Sequence, residues 1–173
     1  SIFPLGAPVQ DGDSVHLLRG AAWGPDGVPK DETAARELVI SWGRRLWRDR
    51  SLVVDGRDHS GVFTLCSVAP DSVVVASDPS GLYPVYLWAR PGSAAVSSHE
   101  RVLARGVGAA ADLRGLVQTA AFGYAIGERT LPSGIRQLPA GASAHIDVRT
   151  GVITITDHPS HYGPIQPSGD LDE

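Results

Sequence analysis

Apolar positions along this chain fall into two periodicities. Residues 31–49, DETAARELVISWGRRLWRD, carry Ala34, Leu38, Val39, Trp42, Leu46 and Trp47 at spacings of three to four. That is the period of one helix face, and Asp31 stands where an N-cap belongs. SGVFTLCSVA (60–69) and SVVVAS (72–77) are short, β-branched and apolar on nearly every residue, which predicts strands covered on both faces. The Pro70-Asp71 pair between them predicts a tight hairpin turn. YPVYLWA (83–89), a Pro-Gly-Ser turn and AAVSS (94–98) predict a further hairpin. ASAHIDV (142–148), a turn at Arg-Thr-Gly and VITITD (152–157) predict the last one. SVHLL (14–18) reads as a strand, and 99–106 as a turn or two of helix. ADLRGLVQTAAFGYAI (111–126) reads as a second helix, opened by Asp112 and apolar at 113, 116, 117 and 120.

The intervening stretches are punctuated by turn formers. RGAAWGPDGVPK (19–30) and GERTLPSGIRQLPAG (127–141) each hold three glycines and two prolines, and read as turn-rich or loop. HPSHYGPIQPSGDLDE (158–173) has no periodicity and reads as a linker or tail following a domain at 1–157. Strands joined as local hairpins make antiparallel sheets. If those sheets are covered on both faces, they need another sheet inside and helices outside. The expected class is therefore α+β, a four-layer αββα sandwich of two antiparallel sheets.

Composition narrows the functional classes. The net charge of −4 gives no basic footprint for nucleic acid, and no apolar run is long enough for a membrane helix. A single cysteine, Cys66, rules out an intrachain disulfide and fits a reducing, cytoplasmic setting. Cys66 lies mid-strand in an apolar run, where a packing role is expected. The six histidines show no metal-ligand spacing, and no metal site is expected. Asp58-His59-Ser60 are sequence neighbours, which cannot readily meet as a triad.

Several motifs, in order, resemble the glutaminase domain of asparagine synthetases. "DPSGLYPVY" is similar to that family's Asp-Pro-Leu-Gly-x-x-Pro-Leu-Tyr loop. "VSSHERVLA" is similar to the segment that follows it, and "GERTLPSGIRQLPAG" to the family's Arg-Thr-Leu-Phe-x-Gly-Ile-Arg-x-Leu-Pro-Pro-Gly. Gly43 in "ISWG", and Gly61 with Phe63 in "SGVF", also fall in place, so the likeness runs from about residue 15 to 157. It implies an N-terminal-nucleophile (Ntn) hydrolase fold. It also implies a synthetase domain, in the same chain or a separate subunit, that uses ATP and Mg to form an amide. The family's Ser-Gly-Gly-x-Asp-Ser pyrophosphate loop does not occur in this sequence, so no cofactor is expected on this chain.

The same alignment tests the hydrolytic chemistry. The family's nucleophile is an N-terminal cysteine whose α-amine serves as base; this chain begins Ser1-Ile2-Phe3. The segment from Ser1 to Gly43 is also much shorter than in the family, which implies a fold truncated at its N-terminus. The family's oxyanion-hole asparagine falls on Arg19, and a guanidinium cannot copy an amide's geometry. Gly20 and an aromatic, Trp23, are kept. Asp31 falls at the aspartate that binds the substrate amine, with a helix N-cap as its plainer role. Arg19, Gly20, Trp23 and Asp31 are thus the ligand-pocket candidates. Asp78, Pro79, Gly81, Tyr83 and Pro84 form a corner with a docking role beside it.

The resemblance leads to the expectation of a non-catalytic domain, as in β-lactam synthetases and lasso-peptide cyclases, that supports or docks an amide-forming synthetase. Two alternatives remain open at this point. One is a stand-alone module that binds an amino-acid-like or peptide ligand. The other is an active glutamine amidotransferase subunit.

Overall fold

The hairpin of β3 (Ser60–Ala69) and β4 (Ser72–Ser77) is the centre of the computed structural model, which describes residues 7–23, 28–50 and 60–157. β2 (Ser14–Trp23) pairs with β3, and β1 (Val9–Asp11) with β2. β8 (Ser143–Asp147) pairs with β4, and β9 (Val152–Thr156) with β8. The result is a six-stranded antiparallel sheet in the order β1-β2-β3-β4-β8-β9. A second antiparallel sheet has the order β6-β5-β7, from β5 (Tyr86–Arg90), β6 (Ser93–Ser97) and the two-residue β7 (Arg136–Gln137). The class is α+β, with two antiparallel sheets and three helices among the described residues: α1 (Glu32–Asp49), α2 (Glu100–Val107) and α3 (Leu113–Phe122).

Side-chain alternation divides the large sheet between two cores. Leu18, Phe63, Leu65, Val74 and Ala76 point to one face, where α1 supplies Val39, Trp42 and Leu46. The tilted Trp42 and Phe63 rings lie 4.9 Å apart, a pairing that adds about 1 kcal/mol to plain area burial. Val73, Val75, Ala144 and Ile146 point to the other face and meet Leu87 of the small sheet and Val85 just before it. α1 and the small sheet therefore cover opposite faces of the large one, while α2 packs against β5 and β6. The α1 boundary follows from the chain itself: Asp31 is extended, and its carboxylate accepts a hydrogen bond from the Ala34 amide at 2.8 Å.

Several expectations are corrected. Of the two strands expected to be covered on both faces, β4 is; in β3, Phe63, Leu65 and Ser67 are buried while Val68 on the opposite face is exposed. Residues 19–23 are not turn but the second half of β2, held to Ser60–Thr64 by ladder pairing. Gly20 makes this possible. It adopts φ +111°, and a Cβ there would lie 2.1 Å from the Val62 carbonyl. The second helix is shorter than its pattern, ending at Phe122 with Gly123 in the left-handed region. Its apolar stripe does not face a core: Leu113, Leu116 and Val117 are exposed, and Gly115 is the buried residue of the helix. Ser1, Asp58, His59 and the 158–173 tail lie outside the described residues.

Candidate functional site at the Asp78 corner

β4 runs into a corner built around one carboxylate. Asp78 is fully buried, and its backbone N–H donates to the Phe63 carbonyl at 3.0 Å. One carboxylate oxygen accepts from the Phe63 amide at 3.2 Å. The other accepts from the Ser80 amide at 2.8 Å and from the Ser80 hydroxyl. The Asp78 carbonyl takes the amides of Gly81 (3.1 Å) and Gly141 (2.8 Å). A buried carboxylate costs several kcal/mol in lost hydration unless such donors replace the water. Here the donors come from β3 and from the corner itself, which fixes the loop at the end of the strand.

The corner is locked to a segment sixty residues away in sequence. The Ser77 hydroxyl donates to the Pro139 carbonyl at 2.8 Å, and the Ser77 amide to Ala142 at 3.1 Å. Gly81 has φ +60°, and a Cβ there would come within 2.7 Å of the Ala140 Cβ. Gly141 passes just over Pro79. Asp-Pro-Ser-Gly and Leu-Pro-Ala-Gly, two separate motifs in the sequence, therefore form one packed unit. Beyond it Leu82 and Pro84 are exposed, and Tyr83 turns back onto β2.

Tyr83 joins the corner to two of the pocket candidates. The Arg19 guanidinium lies over the Tyr83 ring, 5.2 Å from its centre. The same ring lies against Gly20, close enough that its Cε2 would be 2.8 Å from a Cβ at that position. Arg19, Gly20 and Tyr83 are thus one cluster. Asp31 is spent on the α1 N-terminus. The backbone of Trp23 pairs with Ser60 at the far end of β2; its side chain lies outside the described residues.

Cys66 lies between the sheets beside Val73 and Val75 of the inner core, and burial pushes its thiol up to about 12. It is held as the neutral thiol, the inert form.

A second polar cluster, which no sequence motif announces, lies on the α1 side of the sheet. His16 and Ser67 are both buried and face each other across the β2–β3 register, with His16 Nδ1 hydrogen-bonded to Ser67 Oγ. His16 Nε2 lies 3.5 Å from a carboxylate oxygen of Asp11. Asp11 is also gripped through two nitrogens by Arg44, both at 2.7 Å, and that guanidinium holds its carboxyl down at about 2. The order Ser–His–Asp resembles a hydrolytic triad, but Ser67 lies beneath α1 with no exposed surface, whereas a nucleophile must reach its substrate. Gly43 of α1 sits directly on the imidazole, where a Cβ would be 2.3 Å from Nδ1. The cluster ties helix to sheet. Strand register alone could have revealed it, because His16 and Ser67 are 51 residues apart. An open groove of about 400 Å³ lies beside it, lined by Asp11, Ser14, His16, Arg44, Trp47 and Arg48.

Among the described residues no group of three or more His, Cys, Asp or Glu side chains could hold a metal ion. No helix of the described residues is long and apolar enough to cross a membrane. No protein-family model matches the chain, and no curated protein matches it either.

Proposed function

We propose that this chain is a non-catalytic glutaminase-like domain, with an Ntn-hydrolase-like sandwich, that supports an ATP- and Mg-dependent synthetase domain in forming an amide bond. Macrolactam or β-lactam closure is the type of reaction the reading implies. The substrate's own amine replaces ammonia there, so glutamine hydrolysis is not needed. Two antiparallel sheets face to face, with α1 on the outer side of the larger one, are compatible with that fold.

One observation carries the non-catalytic part of the reading: pocket-candidate positions are occupied by structural work. The Arg19 guanidinium lies over the Tyr83 ring, Gly20 is covered by the same ring, and Asp31 caps α1. An oxyanion hole needs a preorganised donor aimed at open space where substrate charge develops. A guanidinium held over the tyrosine ring does not offer one.

The test is ammonia release from glutamine by the full chain, across pH 5–9, beside its Ser1→Ala variant. The expected result is a rate no higher than the protein-free control in both. Ammonia that scales with wild-type protein and disappears in Ser1→Ala would establish the active amidotransferase instead.

A further inference from the structure

The two sheets are unequal, and the mismatch leaves a gap between them. The large sheet has six strands and the small one three. β7 stands at the β9 margin, where the Arg136 guanidinium donates to the Ile153 carbonyl at 3.0 Å, and β5 touches β9. β6 lies on the other side of β5, so the small sheet covers β9, β8 and β4 and stops there. Burial follows that outline. On the inner face Val73, Val75, Ala144 and Ile146 are buried, whereas Leu17 is 39% and Val68 42% exposed. The exposed pair belongs to one patch: Val15 pairs with Val68, Leu17 with Cys66, and Val68 with the buried Val73 of β4. Directly paired residues share a face. The inner core thus runs on to an apolar floor over β2 and β3 that no described element covers.

One wall of this gap is a free strand edge. β6 is bonded to β5 on one side and has no backbone partner on the other among the described residues. Sheet edges are ordinarily blunted by brevity, charge, proline or a bulge, because an open ladder invites another strand. Three of the four edges here are blunted. β1 has three residues, β7 has two, and the Ile153 carbonyl at the edge of β9 is taken by Arg136. β6, Ser-Ala-Ala-Val-Ser, has five residues in unbroken register with β5, with no charge and no proline. Its Ala94 and Val96 turn toward the inner core.

Floor and wall together specify the occupant. A free ladder is matched by an extended chain, whereas a helix has spent its backbone groups on itself. Every second side chain of that extended chain meets the floor, and must be apolar because Val15, Leu17 and Val68 offer no polar atom. Neither β6 nor these floor residues carry charge, so the bound stretch carries none. A second copy cannot enter through its own β6. A two-fold antiparallel pairing of the β6 edges would bring the other copy's large sheet beneath the joined small sheets, into the space that β2 and β3 hold.

We infer that the β6 edge and the inner face of β2 and β3 form a strand-addition site for an extended, uncharged segment of a partner protein, with apolar residues at alternate positions. The site goes beyond the proposed function and does not depend on it.

The probe is a short linear peptide selected from a random phage-displayed library on the full chain, then synthesised and titrated by fluorescence anisotropy. Selected sequences should alternate apolar and polar residues, without charge or proline in the bound stretch. N-methylation of single peptide amides should weaken binding about tenfold in one alternating frame and little in the other, because only every second amide faces β6. Leu17→Asp should weaken binding about tenfold or more by charging the floor, at an unchanged melting temperature. The N-methyl series uses the wild-type chain, so it decides the matter even if that variant fails to fold. Recovery of no binder, binders without alternation, or equal tolerance of N-methylation in both frames overturns the site. Affinity that rises about tenfold when residues 1–6 are removed would assign the gap to this chain's own N-terminal segment. A concentration-dependent dimer abolished by Leu17→Asp would assign it to a second copy. Either result overturns the partner.

Discussion

Replacing Asp78 by alanine removes the acceptor for three hydrogen bonds at once. The Phe63 amide is the costly one. It is buried in β3 beneath the corner and has no route to water, so orphaning it costs about 2 kcal/mol. The Ser80 amide and hydroxyl lie at the rim, where water can partly replace the carboxylate, and about 1 kcal/mol each is a fair charge. The expected destabilisation is therefore roughly 4 kcal/mol, which for a domain of this size lowers Tm by about 10 °C. Asp78→Asn keeps one acceptor oxygen and the side-chain shape, and should lose about half as much. Thermal unfolding followed by circular dichroism measures both. Hydrogen exchange reads the contact directly: the Phe63 amide should lose protection in Asp78→Ala, while the Val74 amide in the middle of β4 keeps it. An Asp78→Ala protein melting within about 2 °C of wild type would refute the account of the corner. The carboxylate would then be free for another role.

Other expectations follow from single contacts. Gly43→Ala in an ordinary helix would stabilise by about 1 kcal/mol, but here the new methyl meets the His16 ring, and overpacking costs about 1–3 kcal/mol. The net effect should be a lower denaturation midpoint, and a stabilised Gly43→Ala protein would show that α1 can slide away from His16. Cys66 should resist thiol reagents at pH 8 in the folded protein and react fully in guanidinium; equal labelling rates in the two states would count against its burial. Because its folded value, about 12, lies above the unfolded 9.0, the unfolded chain releases the proton first. The contribution of Cys66 to stability is complete below about pH 9 and is lost as pH rises toward 12, and Cys66→Ala should flatten that part of a pH–stability curve.

Local chemistry made much of the fold legible in the sequence. Asp31 and the three-to-four spacing set α1, because a cap and an amphipathic face are properties of a few consecutive turns. The hairpins of β3–β4, β5–β6 and β8–β9 were legible for the same reason, as β-branched runs divided by turn residues. Periodicity failed where a distant partner decided. Residues 19–23 are rich in glycine and alanine and look like a turn, yet pairing with β3 makes them strand. The candidates Arg19 and Gly20 could be named one by one, but their joining through Tyr83 depends on how the Asp78 corner returns to β2.

What the sequence determined on its own is the set of elements and the existence of their apolar faces, since helix and strand periods are written in neighbouring residues. What only the tertiary structure decided is where each face points and which distant segments meet. His16 opposite Ser67, Ser77 and Asp78 tied to residues 139–142, and α3 turned outward on Gly115 are all of that kind. A helical stripe specifies that something apolar belongs against it, and the same pattern fits a core or a partner. The close approach of Gly115 to the Thr130 carbonyl, 15 residues further along the chain, leaves the stripe of α3 outside the core.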